Sequence, residues 1–271
     1  MTTLQQLQVR RRPGAFDHIS YSAISTFQQC PLRFYFRYVV GLPERTVSSS
    51  LLLGTSLHGA IQHHFERLMI GEKGADPESL MLVFRNAWAS RADKQIRFGK
   101  GEDRDKLFQT ATRMLTAFLN SDFAQPKGVI LGVEEEMRGV VVPGCPDLLA
   151  RLDLIVDTGS EVIVSDFKSS KSAWSDYKVE DVAPQLLLYS ELVKPLADGK
   201  PIKLAFAVMT KKKMPELCLH EVSLDEQQVA RTKRTVEQVW HAIRAGHFYP
   251  NPSPLTCGSC PYRSACRNWT G

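Results

Sequence analysis

The stretch "ARLDLIVDTGSEVIVSDFKSS", Ala150 to Ser170, decides how the chain is read. Two β-rich apolar runs, Leu152 to Val156 and Val162 to Val164, flank Asp157-Thr158-Gly159, a turn signal that makes them a hairpin. The second run ends in Asp166 and Lys168, and residues two apart on a strand point the same way. Asp153 lies thirteen residues before Asp166 on the partner strand. Hairpin pairing brings such residues to one end of a sheet, so two carboxylates and a lysine converge.

That grouping has a chemical logic. Two carboxylates a few ångströms apart repel each other unless a hard cation such as Mg²⁺ lies between them. A metal-bound water has a lowered pKa, and the cation neutralises charge on a scissile phosphate. Lys168 on the same face can orient that water and stabilise developing charge. Taken alone, an Asp-Lys salt bridge at a strand end is the simpler reading, so the surrounding sequence has to decide.

Upstream of the hairpin, after about 17 unpatterned residues, "ISYSAISTFQQCPLRFYFRYVVGL" reads as a helix start, a Cys-Pro break and an aromatic helical segment. "LLLGTSLHGAIQHHFERLMI" has apolar residues at helical spacing, and Glu78 to about Phe123 reads as two charged helices. From Gly128 the period changes to short β runs, "GVIL", "MRGVVV" and the hairpin. "VAPQLLLYSELVKPLA" is a helix with Pro184 in its first turn, "IKLAFAVMT" a strand and "LCLHEVSL" an edge strand. A long helix follows, with a capping box from Ser223 to Glu226 and Gly246 at its end.

The order of acid, turn, Asp-x-Lys and a helix carrying Gln185 and Tyr189 resembles the PD-(D/E)XK nucleases, in their RecB-like branch. "GTSLHGA" with His58, "ARLDLI", "SDFK" and "QLLLY" match that branch's elements in order, with Ala150 where the family often has Gly. The resemblance spans roughly Ile19 to Cys266. It implies an α/β restriction-endonuclease-like core, a central mixed sheet flanked by helices with a helical insertion in its amino-terminal half. It implies that His58, Asp153 and Asp166, with the Phe167 carbonyl, bind Mg²⁺ or Mn²⁺, and that Asp153, Asp166 and Lys168 are catalytic. Gln185 and Tyr189, four apart on one helical face, would contact DNA or steady the site. Asp147 stays open as the alternative acid. His63 and His64 are expected as surface or packing residues, and Glu134, Glu135 and Glu136 as a solvated strand start from which one could approach the metal's outer shell.

Three of six cysteines sit in "CGSCPYRSAC", namely Cys257, Cys260 and Cys266, one ligand short of a four-thiolate site. Cys30, in the Cys-Pro segment, resembles the lone amino-terminal cysteine of iron-sulfur nucleases of this branch. That resemblance, to AddB-type and CRISPR adaptation nucleases, implies that Cys30, Cys257, Cys260 and Cys266 hold a [4Fe-4S] cluster as a carboxy-terminal clip. Zinc is the competing occupant. Cys145 and Cys218 read as ordinary strand residues.

The chain has 271 residues, 43% of them hydrophobic, enough for a sizeable core. Residues 1–18 are expected to be flexible, and 19–271 one nuclease domain: a helical part at about 55–125, a catalytic core at about 128–222 and a carboxy-terminal segment at about 223–271. No window approaches the ~20 apolar residues of a membrane span, and the amino terminus lacks a signal-peptide core, so a cytoplasmic protein with no membrane partner is expected. Net charge is +5, but from Lys200 onward eleven Lys and Arg face five Asp and Glu. That surplus fits a polyanion; a solvated turn at Lys211, Lys212 and Lys213 is the alternative.

The expected function is a metal-dependent DNA nuclease, an exonuclease on single strands or ends, in DNA repair, recombination or CRISPR spacer acquisition. No helicase P-loop is present, so unwinding would need a helicase partner, and a CRISPR integrase is the other expected protein partner. The competing class is a scaffold subunit that binds DNA without cutting it.

Overall fold

The computed structural model describes residues 16–91 and 94–270. The chain opens with β1 (His18–Ile19), α1 (Tyr21–Gln29), α2 (Pro31–Phe34) and a π-helical turn over Tyr35–Val40. Pro31 forces its predecessor out of the helical region, and Cys30 is extended at φ −163°, breaking the helix at the Cys-Pro step. β2 (Thr46–Ser48) then leads into α3 (Ser49–Met69), whose first turn is capped by the Ser48 side chain. α4 (Pro77–Ala89) and α5 (Arg104–Leu119) complete the helical part, with β3 (Gln95–Arg97) between them pairing parallel to β2.

The second half builds the sheet from β4 (Val129–Gly139), β5 (Asp147–Asp157), β6 (Val162–Ser170), β7 (Ile202–Thr210) and β8 (Leu217–Val222). α6 (Asp176–Val182) and α7 (Pro184–Ala197) cross from β6 to β7, which run parallel, whereas β4–β5, β5–β6 and β7–β8 are antiparallel. β1 pairs with the start of β5, so the sheet is mixed and six-stranded, with β8 at an edge. α8 (Glu226–Arg244) returns across the sheet, and α9 (Pro254–Gly258) and α10 (Arg263–Arg267) form the tail.

Alternation along β7 sends Leu204, Phe206 and Val208 to one core and Ala207 and Met209 to the other. The first core packs α1, α7 and α8 against the sheet; the second packs α3, α4 and α5. The result is three layers. In the tail beyond Phe248, Tyr262 alone is buried among the described residues, which contributes roughly 1.5–3 kcal/mol of apolar burial. The tail is held to the Cys30 segment by Leu32 N–H to Tyr249 O at 3.0 Å and Asn251 Nδ2 to Gln29 O at 3.1 Å.

Several boundaries depart from the sequence reading. Phe16 packs against Phe34 and Trp240, so order begins before residue 19, while residues 1–15 of the expected flexible segment lie outside the described residues. "GVIL" and "MRG" belong to one strand, β4, and Val140 to Val142 leave the ladder so that Val141 and Val142 enter the core. α8 is capped by Asp225, whose Oδ1 accepts from Gln227 N–H at 2.9 Å, in place of Ser223. No helix among the described residues is long and apolar enough to cross a membrane.

Candidate active site

Asp153 and Asp166 reach the same place from adjacent strands. The β5–β6 ladder pairs Leu154 with Ser165, which brings Asp153 beside the Asp166-Phe167 step. Phe167 N–H donates to Asp153 Oδ2 at 2.6 Å, so the peptide of the Asp-x-Lys segment fixes the acid's orientation.

Asp166 is 3% exposed. Gln185 Nε2, from the first turn of α7, donates to Oδ1 at 2.8 Å, and Lys168 Nζ lies 2.5 Å from Oδ2 without the geometry of a hydrogen bond. Gln185 Nε2 also reaches Tyr189 Oη at 3.1 Å, one turn along α7. Burial raises the Asp166 pKa, and the charge of Asp153 pushes the same way; Lys168 and His58 oppose them. Burial likewise raises the Tyr189 phenol, which therefore acts as a neutral hydrogen-bonding group.

His58 comes from the middle of α3. Its Nδ1 stands 3.5 Å from Asp153 Oδ2 and 3.5 Å from Glu134 Oε1. Burial disfavours its charge, but the close carboxylates of Asp153 and Glu134 and the charge of Asp166 outweigh that, and its pKa is pushed up to about 10. Ligand atoms of His58, Glu134 and Asp153 all lie within 4.8 Å of one another, the one such group among the described residues. One imidazole and two carboxylates suit a divalent cation, which would compete with the His58 proton for the same position.

Glu134 is the residue that the sequence reading undervalued. It sits within β4 at φ 49°, a left-handed conformation that costs a non-glycine residue of order 1–3 kcal/mol. That twist turns one glutamate of "EEE" toward His58, whereas Glu135 and Glu136 remain on the strand's outer parts. Its signal in the sequence was only register: Val133 pairs with Leu154 and Glu135 with Leu152, which sets Glu134 opposite Asp153. Asp147 lies at the far end of β5, bonded to Arg138 Nε at 2.8 Å. His64 is a packing residue, 1% exposed.

His58, Glu134, Asp153 and Phe167 line an open cleft of about 690 Å³ that runs along α3 from Ser48 and Ser50 past His58 to Gln62, with Arg151, Lys168 and Ser169 on the sheet side. Elsewhere, Cys30, Cys257, Cys260 and Cys266 line one small cavity of about 60 Å³ with Leu32, Phe36 and Tyr262. Burial raises the Cys266 thiol pKa, and Cys30, Cys260 and Cys257 push it the same way. No three of these sulfurs lie within 4.8 Å of one another. Cys145 packs against the α7–α8 core and Cys218 is exposed on β8.

A mixed sheet carrying an acid on one strand and Asp-x-Lys on the next, under a helix that supplies histidine, is the layout of a nuclease core. The sequence matches the model of the PD-(D/E)XK nuclease superfamily over residues 18–267, and the chain belongs to that superfamily. Among solved structures, a candidate exonuclease from Eubacterium rectale superposes with a TM-score of 0.58 at 14% identity, covering 98% of this chain and 92% of the other. A second, SSO0001, gives a TM-score of 0.35 at 16% identity over 90% of this chain and 94% of its own. No curated protein matches the sequence.

Proposed function

We propose that the protein is a divalent-metal-dependent deoxyribonuclease that hydrolyses phosphodiester bonds, acting as an exonuclease on single-stranded DNA or DNA ends. The observation that carries this is the meeting of His58, Glu134 and Asp153 around one point, beside Asp166 and Lys168. Mg²⁺ or Mn²⁺ held there would lower the pKa of a bound water and neutralise phosphate charge. His58, Asp153 and Glu134 fit as its ligands, with Asp166 and the Phe167 carbonyl completing the set that the family resemblance implies. Lys168 holds positive charge where the attacked phosphate gains negative charge. Gln185 anchors Asp166, and Tyr189 anchors Gln185.

The family resemblance implies a [4Fe-4S] cluster on Cys30, Cys257, Cys260 and Cys266, and the presence of all four on one cavity favours that reading. The cluster's role here is to hold the weakly packed tail to the Cys30 segment. DNA repair, recombination or CRISPR spacer acquisition, beside a helicase or integrase, is the setting that the family resemblance favours.

Anaerobically purified protein incubated with 5′- and 3′-labelled single- and double-stranded DNA, with Mg²⁺, with Mn²⁺ and with chelator, tests the reading. Shortening of labelled ends only with metal supports it. Binding without cleavage under every condition would instead establish the scaffold alternative.

A further inference from the structure

Three elements meet at the end of the cleft remote from His58. Lys211, just past β7, donates from its backbone N–H to Ser170 O at 2.7 Å and from Nζ to Ser50 Oγ at 2.7 Å, so its ammonium is pinned against the first turn of α3. Lys171 follows β6 directly and is exposed. Glu102, from the loop before α5, accepts at Oε2 from Ser49 Oγ at 2.6 Å and from Gly99 N–H at 2.9 Å.

We propose that Lys211 and Lys171, with the amino-terminal turn of α3, form a phosphate seat that grips the DNA strand beyond the phosphate being cut. The charge count favours an anion there: the charges of Lys171 and Lys211 both act on the single carboxylate of Glu102, which leaves one positive charge in excess. Among the described residues neither lysine makes an ion pair within 4.0 Å. The positive end of the α3 dipole adds to the surplus. Burial lowers the Lys211 pKa, with the charge of Glu102 opposing and that of Lys171 adding to the fall.

The location specifies which phosphate. Ser50 lines the same cleft as His58 and Asp153, eight residues and therefore about 12 Å up the helix from His58. A group bound there is a neighbouring phosphate of the same strand, not the scissile one. This separates Lys211 from the rest of its basic run, because Lys212 pairs with Glu216 at 3.0 Å. The inference rests on the nuclease reading and adds the strand's path along the cleft.

The test is equilibrium binding of fluorescein-labelled oligothymidylate with Ca²⁺ replacing Mg²⁺, measured as a function of salt. Each phosphate contact on a single strand contributes about −0.7 to the slope of log affinity against log salt. Lys171→Gln and Lys211→Gln should each weaken binding several-fold and flatten the slope by about that amount, and Lys211→Arg should restore it. Lys203→Gln, paired with Glu161 at the opposite end of β7, is the control and should change neither. Wild-type affinity and slope in folded Lys171→Gln and Lys211→Gln proteins that still cleave DNA would overturn the seat and leave the nuclease reading standing. A wild-type protein that neither binds nor cuts the strand would overturn both.

Discussion

The main-chain N–H of Phe167 donates to Asp153 Oδ2 at 2.6 Å, binding the acid of one strand to the Asp-x-Lys segment of the next. Asp153 therefore cannot be exchanged for Asp147, which is occupied by Arg138 at the other end of β5. Asp153→Asn should weaken Mn²⁺ binding by at least the 10–100-fold typical of disturbing a metal's supporting groups, and Asp166→Ala should abolish cleavage while the fold survives. Lys168→Ala should cost roughly 10²–10³ in kcat through loss of charge stabilisation. Asp147→Asn should leave cleavage nearly intact. Calorimetric Mn²⁺ titration and end-label kinetics check the series, and a greater loss in Asp147→Asn than in Asp153→Asn would show that the wrong acid had been chosen.

Glu134 combines a strained backbone with a side chain turned toward His58. Glycine removes the strain of φ 49°, worth of order 1–3 kcal/mol, and returns about 0.5–1 kcal/mol of it as unfolded-chain entropy. Glu134→Gly should thus weaken metal binding, while in urea unfolding the relieved strain of about 1 kcal/mol offsets the loss of the contact with His58. Destabilisation with unchanged metal affinity would mean that Glu134 is structural and not a ligand.

His64 should make the fold acid-sensitive. Its Nδ1 accepts from Ala75 N–H at 3.0 Å and its Nε2 meets Ala124 O at 2.8 Å, an arrangement that requires neutral imidazole. Burial, the largest influence, lowers its pKa in the folded state, so the unfolded chain binds the proton more readily. Its contribution is present above the unfolded value of about 6.5 and is lost as pH falls below it. His58 has the opposite sign: its folded pKa of about 10 gives stability that is full below about 6.5 and lost as pH rises toward 10. Subtracting the urea stability of His64→Phe from that of wild type at pH 7.5 and pH 5 isolates the first effect; a difference that does not shrink at pH 5 would contradict it.

What the sequence disclosed, and what it withheld, follows from the range of the interactions. The hairpin was readable because Asp157-Thr158-Gly159 fixes register locally, and with it the approach of Asp153 to Asp166. α7 was readable because Pro184 opens it and Gln185 and Tyr189 recur at one-turn spacing. Glu134 was hidden because its role depends on a single backbone angle in β4 and on a helix some seventy residues away, neither of which leaves a periodic trace. β3 escaped notice because a three-residue strand paired to β2 is defined by its partner and not by its own residues. The different situations of Lys211 and Lys212 were equally invisible, since a run of three lysines looks uniform until Ser50 and Glu216 are placed beside it.

The cysteine cavity supplies the prediction that reaches across the whole chain. Cys30 and the trio at Cys257, Cys260 and Cys266 line one space, although the tail around them buries only Tyr262 among its described residues. Apolar contact worth a few kcal/mol would hold such a tail weakly, so ligation should supply much of its attachment. Protein made and handled without oxygen should be brown and carry about four irons per chain, and Ser at any of the four positions should bleach it and lower its melting temperature. Ser at Cys145 or Cys218 should do neither, because one packs beside α7 and α8 and the other is exposed on β8. The loss should also reach the cleft: Arg97 Nη2 donates to Ser259 O at 2.9 Å, and β3 pairs with β2, whose last residue, Ser48, caps α3. Cys260→Ser should therefore raise the KM for DNA as well as destabilise the tail. One zinc and no iron in an anaerobic preparation would refute the cluster, and a Cys30→Ser protein that stayed brown and stable would refute the attachment of the two ends of the chain to each other.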